Sequence, residues 1–133
     1  MATILILDDE PSNLEIMAAI LKRQGHSILT AENADEALFH SRTHPSGIDL
    51  VLADVVLRGR TAAEVAGDID QYRPGVPFLF VSGYSWEALR HVFEGAGMTD
   101  QAFLAKPFTV DRLVTEVNAV LDGRLMASSV GAL

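Results

Sequence analysis

The chain has no cysteine. That excludes a disulfide framework and a thiolate zinc site, and it fits a reducing cytoplasm. No apolar run approaches the roughly 18 residues of a membrane span. The N-terminus enters a strand pattern directly, without the basic leader of a signal peptide, so a cytoplasmic protein with no membrane insertion is expected. Positive charge is also scarce: 10 Lys and Arg stand against 18 Asp and Glu, for a formal net charge of -8. Such a chain repels nucleic acid and anionic membrane surfaces, so neither is expected as a partner. A site that wants a cation is expected instead. What the chain does have is 49% hydrophobic residues in a length of 133, enough for one domain with a real core and too many for general disorder.

Three apolar runs organise the rest. Ile48 and Leu50 to Ala53 form the central one, which Asp54 closes with a lone carboxylate. Ile4 to Leu7 ends in Asp8-Asp9-Glu10, and Phe78 to Val81 ends in Ser82-Gly83. Continuous apolar runs of this length read as strands buried on both faces, as in a parallel sheet. The carboxyl ends of such strands are where open α/β sheets bind ligands. Two acidic groups and a hydroxyl would therefore reach one edge of one sheet.

Helical patterns separate the strands. Pro11 suits a first helical turn, Leu14, Met17, Ala18 and Leu21 follow at helical spacing, and Gly25 ends that helix. Ser27 to Thr30 is a short, more polar strand suited to an edge. Asn33 with Glu36 caps a helix that turns Ala34, Ala37 and Leu38 inward. Thr61 with Glu64 forms a capping box on a helix whose apolar stripe is Ala62, Val65, Ala66, Ile69 and Tyr72. Ser85 caps a short helix containing Trp86, Leu89, Val92 and Phe93, with Gly95 and Gly97 weakening its end. Ala102 to Leu104 is a brief fifth strand, and Thr109 caps a last helix with Leu113, Val114, Val117, Val120 and Leu121 inward. Five β-α units in a row imply a parallel sheet with helices on both faces and right-handed crossovers. Residues 124–133 are aperiodic and read as a loose tail.

The strand ends carry the chemistry. If the first and third strands are neighbours, Asp8, Asp9 and Asp54 converge. Two like charges about 4 Å apart cost about 4 kcal/mol at an effective dielectric of 20. A helix dipole behind Asp8-Asp9 returns only about 0.3–1 kcal/mol, so something positive must sit among them. Few, hard oxygen ligands suit Mg²⁺, which brings phosphate-bearing substrates with it. One acid can then attack phosphorus and become an aspartyl phosphate. Asp54, single and central, is the better candidate, with Ser82 and Lys106 as donors to the phosphoryl group.

These residues resemble the receiver domain of two-component signalling, the phospho-accepting module of response regulators. Asp8-Asp9, Asp54, Ser82 and Lys106-Pro107-Phe108 stand in that family's order and spacing over roughly residues 3 to 122. The resemblance implies a single doubly wound (βα)5 domain of flavodoxin-like type, with strand order 2-1-3-4-5, over residues 1–123 and a flexible tail over 124–133. It implies a signalling phosphoacceptor, not an enzyme, limited to its own phosphorylation and dephosphorylation. A histidine kinase or histidine phosphotransfer protein would load Asp54, and a downstream protein would read the face of the fourth helix, fifth strand and fifth helix. Asp9 would bind Mg²⁺ directly, Asp8 through a metal-bound water, and the Val56 backbone carbonyl would be a further ligand. Ser82 and Lys106 would take phosphoryl oxygens, Phe103 would be the aromatic switch, and Lys106-Pro107 would be cis. Val56 and Tyr84 would tune hydrolysis.

The chain departs from the family pattern at several points. Ser82 replaces the commoner threonine, Phe103 stands where tyrosine is frequent, Arg58 where proline is, and Thr61-Ala62 where an acidic-Gly pair is common. The altered loop keeps a second reading in play, a receiver-like interaction module that works without phosphorylation. An aspartyl phosphatase is set aside because the second acid it needs, two residues after the nucleophile, is here Val56. A flavin carrier is disfavoured because Asp8-Asp9-Glu10 would repel the flavin phosphate. His40 and His44 read as a surface pair without a third ligand.

Overall fold

The computed structural model describes residues 1–95 and 102–123. The expectations for Gly97, for the side chains of Trp86 and Val92, and for the tail 124–133 lie outside the described residues.

Ten elements alternate: β1 (Thr3–Leu7), α1 (Pro11–Arg23), β2 (Ser27–Ala31), α2 (Ala34–Thr43), β3 (Leu50–Asp54), α3 (Ala62–Tyr72), β4 (Phe78–Ser82), α4 (Trp86–Gly95), β5 (Ala102–Ala105) and α5 (Val110–Leu121). The strands form one parallel sheet in the order β2-β1-β3-β4-β5. This is the doubly wound order expected. The more polar β2 does lie at an edge, and β3 and β4 are buried along their whole length.

Strand alternation splits the core in two. Ile4, Ile6, Leu50, Leu52, Leu79, Val81 and Leu104 face α1 and α5, meeting Leu14, Met17, Leu21, Leu113 and Val117. Leu5, Leu7, Val51, Ala53, Phe78 and Phe80 face the other way, against Ala37 of α2, the stripe of α3 and Phe93 of α4. Both faces are covered, which is why the strands read as unbroken apolar runs.

The local punctuation follows the residues. Pro11 opens α1, and Gly25, at φ +91, takes the left-handed conformation that closes it. Thr61 and Glu64 form the reciprocal capping box, and Asn33, Ser85 and Thr109 accept amide protons at the starts of α2, α4 and α5. One expectation fails. Tyr72 does not continue the buried stripe of α3; it is 46% exposed, while Ala63 is buried instead. The last turn of α3 has run past the amino edge of the sheet. There Tyr72 borders a surface groove with Gly47, Ile48, Pro74 and Pro77 rather than strand side chains.

Candidate functional site

The chain leaves β1 for β2 on one side and returns to β3 on the other, so the crevice between the carboxyl ends of β1 and β3 is the switch point of the sheet. Leu7 pairs with Ala53, so Asp8 and Asp54 follow at the same level on adjacent strands. Asp54 also pairs with Val81, and Ser82 with Ala105, which sets Ser82 and Lys106 along the same edge.

Lys106 joins the two acids. Its Nζ donates to Asp54 Oδ2 at 2.7 Å and stands 3.6 Å from Asp8 Oδ2. Burial pulls the lysine pKa down, but the hydrogen bond to Asp54 and the charges of Asp54 and Asp8 outweigh it and lift the ammonium above its usual 10.5. The two carboxylates thus favour the charged form of Lys106, which sets one positive group beside them.

The two carboxylates are not equally served. Asp54 Oδ1 accepts the Val56 amide at 2.8 Å, so both of its oxygens are bonded. Asp8 is fully buried; its Oδ1 accepts the Glu10 amide at 2.9 Å, but its Oδ2 has no hydrogen-bond partner. Burial pushes the Asp8 pKa above its usual 3.8; the Glu10 amide pulls it back, and the Asp54 charge pushes it up again. An oxygen left like this, beside other carboxylate oxygens and, among the described residues, no imidazole or thiolate ligand, fits a hard divalent cation such as Mg²⁺. Among the described residues no three acidic, histidine or cysteine side chains already form a closed metal cage.

The other expected residues fall around this pair. Asp9 does not join Lys106; its Oδ2 lies 3.5 Å from Arg58 Nε in the loop after β3. Ser82 is fully buried, and its Oγ accepts the Tyr84 amide at 2.8 Å. Val56 and Tyr84 are both more than half exposed at the rim, at 52% and 58%. Phe103 is half-buried on β5 and meets the buried Phe93 ring edge-on at 6.3 Å. Lys106-Pro107 is a cis peptide bond. Beside it lies a cleft of about 420 Å³, lined by Asn13, Ile16, Met17, Lys106, Pro107 and Phe108. His40 and His44 share no ligand: His40 Nε2 contacts the Thr30 carbonyl and His44 Nε2 the Ser46 hydroxyl.

Sequence reasoning marked Arg58 only as a departure and missed its pairing with Asp9. The available signal was charge: an arginine four residues after the central acid, on a loop beside an acidic strand end.

A parallel sheet wound on both faces, with acids, a hydroxyl and a lysine gathered at its switch point, defines a doubly wound α/β module with a polar site at its carboxyl edge. A family model, the response regulator receiver domain, matches residues 4–118, and this chain belongs to that family of two-component signalling. Protein PilH of Pseudomonas aeruginosa is 30% identical over 125 residues, which span 92% of this chain and 100% of PilH. The sensor kinase CckA of Brucella abortus is 27% identical over 91% of this chain, which spans only 13% of that kinase. Relatives therefore include both a protein of this length and far longer chains. Among solved structures, a CheY-like receiver domain protein from Methanospirillum hungatei superposes with a TM-score of 0.80 at 26% identity, covering 93% of this chain and 96% of that one. The helices of the described residues include none long and apolar enough to cross a membrane.

Proposed function

We propose that this chain is a phospho-accepting receiver whose acceptor is Asp54. The observation that carries this reading is Lys106 Nζ at 2.7 Å from Asp54 and 3.6 Å from the buried, half-satisfied Asp8. A carboxylate oxygen of Asp54 attacks the phosphorus of a phosphohistidine or an acyl phosphate. The new P–O bond forms as the bond to the donor breaks, and the donor leaves with that electron pair as imidazole or carboxylate. Asp8, Asp9, Asp54 and the Val56 carbonyl would hold Mg²⁺, which would supply charge neutralisation. Lys106 stays on the acceptor side and pairs with a phosphoryl oxygen. Ser82, whose oxygen takes the Tyr84 amide, keeps its own O–H proton to donate to another.

The donor is a histidine kinase or histidine phosphotransfer protein, and the apolar cleft of Ile16, Met17 and Phe108 beside Lys106 offers it a footing. Movement of Ser82 toward the phosphoryl group would draw Phe103 inward against Phe93, changing the face of α4, β5 and α5 that a downstream protein reads. Val56 and Tyr84, exposed at the rim, stand where they would screen the water that ends the signal. Residues 1–123 form the receiver, and its chemistry is confined to gain and loss of one phosphoryl group.

Incubation with Mg²⁺ and acetyl phosphate, read by intact mass, is expected to add one phosphoryl group to the wild type and none to Asp54→Ala. Tyr84→Ala should shorten the life of that adduct. A wild type that stays unmodified would favour the second reading, an interaction module independent of phosphorylation, to which the unusual Arg58 to Ala62 loop lends support.

A further inference from the structure

We propose that Arg58 is a tethered counterion that holds Asp9 in the metal-free protein and competes with a divalent cation there. The chain's own loop then sets its affinity for Mg²⁺. This rests on the phosphoacceptor reading of the site and deepens it.

The loop between β3 and α3 carries two arginines that diverge. Arg60 turns away, its Nη2 bonded to Asp68 of α3. Arg58 turns back, its Nε 3.5 Å from Asp9 Oδ2 at the end of β1. Gly59 separates them at φ +79, a left-handed turn that points neighbouring side chains apart. Both ends of the loop are tied, by the Val56 amide on Asp54 and by the Thr61-Glu64 capping box. A short loop anchored in this way holds Arg58 over Asp9 by its backbone, not by burial.

Every acid of the site therefore carries a cation of the chain: Lys106 on Asp8 and Asp54, Arg58 on Asp9. The two cations differ in grip. The Lys106 side chain is 26% exposed and makes a 2.7 Å bond, whereas Arg58 is 91% exposed and makes a longer contact. A solvated pair is screened by salt and yields first. The guanidinium charge beside Asp9 opposes a divalent ion at the same carboxylate, so uptake there weakens the hold of Arg58 on Asp9.

The test is calorimetric titration of Mg²⁺ into wild type, Arg58→Ala, Arg58→Lys and Arg60→Ala, at low and high KCl. Arg58→Ala is expected to bind Mg²⁺ about two- to fivefold tighter at low salt, with the gap closing at high salt. Arg58→Lys should fall between, and Arg60→Ala, equal in charge lost but paired elsewhere, should match wild type. The Arg58 Nε–H NMR signal should move on Mg²⁺ addition in wild type, and the Arg60 Nε–H signal should not. Equal or weaker binding by Arg58→Ala overturns the latch, as does equal tightening in Arg60→Ala. Equal uptake by all four proteins removes the latch alone; no uptake by any of them removes the phosphoacceptor site as well.

Discussion

At each edge of the sheet a cation reaches far back along the chain, and the two do opposite things. Toward the amino edge Arg73, at the end of α3, donates through Nε to the Ser41 carbonyl, through Nη1 to Ser46 and through Nη2 to His44. Those carbonyls belong to the end of α2 and the turn after it, where helix geometry leaves acceptors without partners. Cation and acceptors satisfy each other. At the carboxyl edge Lys106 also reaches back, to Asp54 and Asp8, yet one buried oxygen of Asp8 remains without a hydrogen bond and its pKa is driven up. One edge is balanced. The other holds more negative charge than its lysine can serve, a cost the fold carries where a site needs it.

Three measurements would break or sharpen that contrast. The largest effect is expected at the balanced edge: Arg73→Ala removes three hydrogen bonds from a charged donor and should lower unfolding free energy by about 2–3 kcal/mol. Urea unfolding should show that loss unchanged by Mg²⁺. Lys106→Met leaves two carboxylates facing each other and should cost about 2 kcal/mol, less than a fully buried pair because the lysine is partly wet. Here Mg²⁺ should return most of the loss. If the ion rescues both variants, or neither, the two edges are not different in kind. The smallest effect has the opposite sign. Asp8→Asn keeps the Glu10 contact and removes the ill-served charge, so it should stabilise the metal-free protein by about 1 kcal/mol. Asp8 has a folded pKa above its ordinary 3.8. Its contribution in wild type is therefore fully present below that value and is lost as pH rises through the raised one. The advantage of asparagine should thus be absent in acid, appear as pH climbs, and vanish when Mg²⁺ is added. An advantage that is flat with pH would contradict this account of Asp8.

How far the sequence spoke depends on whether a feature is local. The caps at Asn33, Thr61, Ser85 and Thr109 and the stop at Gly25 depend on residues within four positions, and each was legible. Tyr72 was misread because helical spacing says which face a residue is on, not where the sheet beneath it ends. Asp8, Asp54, Ser82 and Lys106 were legible as a set because strand ends in a parallel sheet share an edge by construction. Asp9 and Arg58 were not, because their meeting depends on the path of one short loop.

By itself the sequence determined the alternation of five strands and helices and the polar residue that ends each strand. Hydrophobic period and capping chemistry act over a few residues, so they need no partner to be read. Only the tertiary structure decided which acid Lys106 touches, which oxygen of Asp8 goes without, and that Arg58 rather than solvent meets Asp9. Those outcomes turn on distances of a few ångströms between segments tens of residues apart, and Coulomb energy and hydrogen bonding change sharply over such distances.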